Sequence, residues 1–175
     1  MNSPTLQHEL GKSRPFESPS EEAYLNLLRT TSLLAHQTEQ LFKAHGLSEP
    51  TYNTLRILRG HRQAFIQAGD AKIREYPGVP CSIIARQLVT QVPDLTRLVD
   101  RLVRDGYAIR QRGEHDRRVV HIDITAKGLK VIENLQRPLD DLHETQLDHM
   151  SPRELKSLSR LLVKARCPHV AKDTK

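Results

Sequence analysis

A chain of 175 residues with 27 basic and 21 acidic side chains, net +6 at neutral pH, has the length of one domain, or of one domain with a helical appendage, and can bury a core without covalent staples. Its two cysteines, Cys81 and Cys167, form no CxxC arrangement and give neither a disulfide framework nor a zinc site, so a reducing compartment is the easier reading. No apolar run approaches the roughly 20 residues that span a bilayer, and the polar stretch from Met1 to Ser20, broken by Pro4, Pro15 and Pro19, has no signal-peptide character, so the expected location is cytoplasmic. The basic balance suits a polyanionic partner, although both signs are interspersed.

Residues 1–19 are expected to be a flexible tail, and residues 20–170 a single domain. A long helix is predicted from about Glu21 to Ala44, where Leu27, Leu34 and Leu41 recur at seven-residue spacing beside Leu28, Ala35 and Phe42. That stripe is wide enough to meet more than one neighbour, and Gly46 is its stop signal. Ser48 is the next N-cap, with Leu47 and Tyr52 as a hydrophobic staple and Leu55 and Leu58 continuing the buried face to about Arg59. The pattern then weakens. Ala64 to Ile73 fits a short helix or an extension of the previous one, and Pro77, Gly78 and Pro80 read as a connector.

Cys81 to Leu88 is a short helical segment, with Ile84 and Leu88 one turn apart. The following helix is expected from Thr90 to Asp105, with Thr90 as cap and Pro93 in the first turn. Leu95, Leu98, Val99 and Leu102 line one face of it, and Gly106 ends it. The period then changes to two: Tyr107–Arg112 is one strand, and Val120, Ile122 and Ile124 alternate with His121 and Asp123 in another, across a polar turn. Thr125 caps a last long helix carrying Leu129, Ile132, Leu135, Leu139 and Leu142, with a kink expected at Pro138. Ser151-Pro152-Arg153-Glu154 combines a capping box with proline at the first helical position and opens a terminal helix with Leu155, Leu158, Leu161 and Leu162.

Short helix, turn, second helix and hairpin is the order of a winged helix-turn-helix: mainly α, with a small β-hairpin wing. In that arrangement the second helix enters the major groove. Opposite its leucines stand Pro93, Arg97, Asp100 and Arg104, with Asp94, Thr96 and Arg101 beside them. Arg97 can pair bidentately with guanine or bind phosphate; taken alone, it better suits a solvated face with Asp100 and Arg101 as neighbours. The hairpin turns the balance. Arg110, Arg112, Arg117 and Arg118 cluster around a tip whose acids are Glu114 and Asp116, and arginine suits the enhanced negative potential of a narrow minor groove. Asp116 would hold a neighbouring arginine by a charge-assisted bond.

Other chemistry is weakly represented. His143 and His149 are six apart and do not share a helical face, and His115 and His121 merely flank the hairpin, so no metal is expected. Cys81 has only Arg86 as a nearby cation in sequence and reads as a packed, inert thiol. With no P-loop, nucleophile elbow or HExxH pattern, neither an enzyme nor a cofactor is expected.

Asp94-Leu95-Thr96-Arg97-Leu98-Val99-Asp100-Arg101-Leu102, Gly106-Tyr107, Gly113-Glu114-His115-Asp116-Arg117-Arg118 and Ile124-Thr125-Ala126-Lys127-Gly128 together resemble the MarR family of bacterial regulators, over roughly Leu25 to Ala165. The combination is specific, whereas each piece alone is weak. The resemblance implies an obligate homodimer: helical regions 20–46 and 125–170 interlock, and winged lobes 47–124 read a pseudopalindrome on double-stranded DNA. It further implies repression relieved by a small phenolic or other aromatic effector. Carried over by motif, the DNA-binding residues are Asp94, Thr96, Arg97 and Arg101 on the helix and Arg112, Asp116, Arg117 and Arg118 on the wing, with Asp116 and Arg118 as the anchoring pair. The segment His61–Val79 is longer than the usual connection, so no ligand-binding residue is carried across it. The rival expectation is a winged-helix module for protein interaction or ligand binding without DNA readout.

Overall fold

The computed structural model describes residues 5–68, 76–112 and 119–170. Its elements are α1 (Leu6–Glu9), α2 (Pro19–Ala44), α3 (Glu49–Ala68), β1 (Val79–Pro80), α4 (Cys81–Gln87), α5 (Leu95–Arg104), β2 (Ala108–Arg112), β3 (Val120–Ile124), α6 (Ala126–Leu147) and α7 (Pro152–Val170). The chain divides into two compact units, one ending at Pro138 and the other running from Leu139.

Caps explain most of the boundaries. α2 begins at Pro19 because the Ser18 hydroxyl accepts the Glu21 N–H at 3.1 Å while the Glu21 carboxylate accepts the Glu17 N–H at 2.9 Å. It closes at Gly46, whose N–H bonds the Lys43 carbonyl while that of Leu47 bonds the Phe42 carbonyl, both at 3.0 Å. Leu47 and Tyr52, the expected staple, are both buried at the start of α3, and the Thr51 hydroxyl accepts the Ser48 N–H at 2.7 Å.

The helix expected from Thr90 starts only at Leu95, and the reason is local. Val92 precedes Pro93 and is steered away from helical angles, so the first competent cap is Asp94, whose carboxylate accepts the Arg97 N–H at 3.0 Å. At the other end Gly106 adopts φ +76°, a conformation costly for residues with a Cβ. This lets the Gly106 N–H reach the Val103 carbonyl at 3.0 Å and the Tyr107 N–H reach the Leu102 carbonyl at 2.8 Å.

Two other expectations are revised. Residues 5–18, expected as a flexible tail, include α1, capped by Thr5 and carrying the buried Leu6. Glu9 pairs with Arg29 at 3.5 Å and Lys12 with Glu21 at 3.7 Å. These ion pairs are substantially exposed and add little; burying Leu6 contributes more, about 1.5–3 kcal/mol. The wing also has three strands, not two. The proposed connector Val79–Pro80 pairs antiparallel with β3, Val79 opposite Ile122 and Pro80 opposite His121, giving the order β1-β3-β2. A two-residue strand containing proline leaves no periodicity to detect, and proline is tolerated at such a sheet edge. β2 and β3 pair from Ala108 opposite Ile124 to Arg112 opposite Val120.

The core of the first unit is mainly aliphatic, with Phe42 and Tyr52 as its buried aromatic pair. Leu55 and Leu58 of α3, Ile84 of α4, Val99 and Leu102 of α5, Ile122 and Ile124 of β3, and Ile132 and Leu135 of α6 are all at most 2% exposed. Entry into α6 is unusually tight. The Thr125 hydroxyl accepts the Gly128 N–H at 3.1 Å and donates to the Gly106 carbonyl at 2.8 Å, joining the end of α5 to the start of α6. A Cβ on Gly128 would lie 2.3 Å from the Tyr107 carbonyl oxygen, so only glycine fits there.

In the second unit α7 opens on the expected box: Glu154 accepts from the Ser151 N–H at 2.8 Å and from its hydroxyl at 2.6 Å. The hydroxyl bond, then the backbone bond, lower the carboxyl pKa. α7 has no buried residue, and Leu158, Leu161 and Val163 are exposed.

Candidate nucleic-acid interface

α5 divides into two faces because 3.6 residues complete a turn. Leu98, Val99 and Leu102 are buried, which leaves Thr96, Arg97, Asp100, Arg101 and Arg104 exposed. Asp94 does more than the sequence indicated. One carboxylate oxygen caps the helix, and the other lies 3.2 Å from Arg97 Nε. The Arg97 side chain is nevertheless 87% exposed. Water screens so open a pair, so little opposes transfer of the guanidinium to a stronger anion.

Arg110, counted in sequence with the basic tip, is committed elsewhere. Its Nη1 lies 2.6 Å from Asp100 Oδ1, a bridge from β2 to the middle of α5. Side-chain periodicity gave no sign of it, because the pair joins two elements whose relative placement is tertiary. The bridge fixes where the wing strand stands beside the helix.

At the C-terminal end of α5, Arg104 Nε donates to Asp105 Oδ1 at 2.9 Å, and this bond raises the arginine pKa further. Lys127 donates to the Asp105 carbonyl at 2.7 Å and lies 4.7 Å over the Tyr107 ring. Both cations complement the negative end of the helix dipole.

The far side of the sheet holds a second cluster. Asp123, expected on the solvent side of an alternating strand, is 4% exposed. α3 continues past Arg59 to Ala68, the extension alternative, and brings Arg62 to Asp123 Oδ2. Asp123 Oδ1 accepts the Ile124 N–H at 2.7 Å. The Tyr76 ring lies 5.9 Å from the Arg62 guanidinium and 5.1 Å from the Phe65 ring. Burial pushes the Tyr76 phenol up to about 12; the Asp123 charge adds to the rise and the Arg62 charge opposes it. His61 also bonds Gln87 at 2.9 Å, tying α3 to α4.

The structure thus places Asp94, Thr96, Arg97 and Arg101 along one exposed face of α5, the first three at its N-terminal end and Arg101 in its last turn. Arg112 closes β2 opposite Val120. Asp116, Arg117 and Arg118 lie outside the described residues. Cys81 is part-buried at the start of α4, and Cys167 is exposed on α7; neither is in a disulfide. Among the described residues no three His, Cys, Asp or Glu side chains gather as a metal site, and no helix is long and apolar enough to cross a membrane.

Two helices joined by a turn, followed by an antiparallel wing, define a winged helix-turn-helix. A sequence model of the MarR family matches residues 71–120. A MarR transcription factor from Planctomyces limnophilus is 37% identical, its structure aligning over 85% of this chain and 98% of that one with a TM-score of 0.61. A MarR family transcriptional regulator from Streptomyces coelicolor, solved in complex with DNA, shares the fold at 17% identity: 89% of this chain and 92% of that one align, with a TM-score of 0.70. The transcriptional repressor YetL of Bacillus subtilis is 28% identical over 117 residues, 67% of this chain and 62% of the repressor's length. The chain belongs to the MarR family of transcriptional regulators.

Proposed function

We propose that the protein binds double-stranded DNA as a homodimer, each protomer presenting α5 to a major groove and its wing to the adjacent minor groove. The observation that carries this reading is the exposed face of α5, where Thr96, Arg97 and Arg101 stand clear of the core and Asp100 ties the helix to β2 through Arg110. Arg112, Asp116, Arg117 and Arg118 supply the wing by motif, and the Streptomyces relative in complex with DNA lends support. Two-fold symmetry then requires half-sites about one helical turn, roughly 10 base pairs, apart.

Dimerisation is supported by apolar surface on the terminal helices: Tyr24, Leu27, Leu28 and Leu33 on α2, and Leu158, Leu161 and Val163 on α7, are exposed in the single chain. By family resemblance the regulator is a repressor released by a small aromatic effector, and YetL is likewise a repressor.

Duplex affinity measured against salt tests the reading. Neutralised phosphates give log K a steep negative slope against log salt, whereas a mixed-charge protein interface gives a shallow one. Arg118→Ala should weaken binding uniformly across sequences, and Arg97→Ala should also relax base preference, each by about 1–3 kcal/mol. Unchanged affinity in both variants, with the fold intact, removes the proposed surface. A panel of phenolic acids that raises Tm while releasing the duplex would support the effector.

A further inference from the structure

We propose that the Arg62–Asp123 pair is a positioning device that braces the wing, so that the C-terminal part of α3 sets the geometry of DNA binding without touching DNA. The proposal rests on the DNA-binding reading above and adds a role for residues outside the proposed contact surface. Asp123 belongs to β3, the central strand of the sheet. Its carboxylate is buried and held at both oxygens, by the Ile124 N–H and by Arg62. A buried carboxylate with two charge-assisted or backbone bonds has essentially one orientation, because moving it leaves an unpaired charge in a dry site. The strand is therefore pinned from behind.

Arg62 lies beyond the core-facing part of α3, three residues past Arg59 and four past the buried Leu58. It is positioned next to the Tyr76 ring, which Phe65 supports from the same helix. The extension of α3 and the chain returning at Tyr76 thus converge on one carboxylate. From there the connection continues through covalent chain and named contacts. β3 pairs with β2, with Ile109 opposite Asp123, and the next residue, Arg110, bridges to Asp100 of α5. Arg62 is thereby linked to the recognition helix through two ion pairs and one strand pairing. A contiguous path alone does not demonstrate coupling, so the test is a double-mutant cycle.

Arg62→Ala, Asp123→Asn and their combination are compared with the intact protein for affinity to a selected operator duplex, its salt slope, Tm, and amide exchange across β2 and β3. Asp123→Asn keeps an oxygen for the Ile124 N–H and so guards against simple unfolding; Arg62→Lys keeps the charge and one donor. The brace requires each single variant to weaken binding at least about fivefold, with the double no weaker than the worse single. It also requires an unchanged salt slope, faster exchange confined to β2 and β3, and recovery of most of the affinity in Arg62→Lys. A slope reduced by about one in Arg62→Ala would make Arg62 a phosphate contact and overturn the proposal. Additive losses, or a lowered Tm with intact affinity, would overturn it too. If the wild-type protein binds no duplex, the functional reading fails separately. Exchange in β2 and β3 then still decides whether Arg62 and Asp123 hold the wing: unchanged exchange refutes the brace.

Discussion

Gly128 shows how a single residue records the packing of its neighbours. Nothing in its helical backbone demands glycine, but a side chain there would strike the Tyr107 carbonyl and approach Ile124 Cγ1 at 2.8 Å. Gly128→Ala should therefore destabilise the protein by about 1–3 kcal/mol, as overpacking does, despite alanine's better helix propensity; urea unfolding gives the value. Tyr76 offers a second single-residue test. Burial pushes its phenol up to about 12, above the ordinary tyrosine value of 10.0, so the folded state holds its proton more tightly. The associated stability is fully present below pH 10 and is lost as pH rises towards 12. Ultraviolet titration of the intact protein against Tyr76→Phe should assign a late ionisation to Tyr76, and the variant should lessen the alkaline loss of stability.

Among the elements, α5 illustrates competition between caps. Thr90 and Asp94 both have the chemistry of an N-cap, but the intervening Pro93 decides between them by restricting Val92. Because Asp94 both caps α5 and pairs with Arg97, its two roles can be separated. Asp94→Ala should lower stability by about 0.5–2 kcal/mol, whereas Asp94→Asn should retain most of it; thermal unfolding of both variants makes the comparison. The Ser-Pro-x-Glu pattern occurs twice, at Ser18 and at Ser151, and opens a helix each time. Leucine spacing alone placed the start of α2 at Glu21, because the leucines begin only after the first turn, whereas the capping chemistry sets the boundary at Pro19.

For the whole molecule, the apolar residues left exposed on α2 and on α7 call for cover that the single chain does not give them. The protein is expected to sediment as a dimer at micromolar concentration. Leu161→Glu, at a position 59% exposed in the chain by itself, should leave the helix content unchanged. It should weaken dimerisation by at least about 2 kcal/mol if the residue is central to the interface, and operator binding should fall with it. A monomeric wild-type protein that still binds its duplex would detach the DNA-binding surface from two-fold pairing.

The order of the helices from α2 onward, the start of α3 after Ser48, the caps at Thr125 and Ser151, the stops at Gly46 and Gly106, and the outward face of α5 were legible from the chain alone, since each depends on residues within about one helical turn of one another. The third strand, the bridge from Asp100 to Arg110 and the burial of Asp123 beneath Arg62 were decided by tertiary structure. Those features join positions ten to more than sixty residues apart. No local period encodes such meetings, because the packing of α3, α5 and the sheet determines which polar side chains find one another.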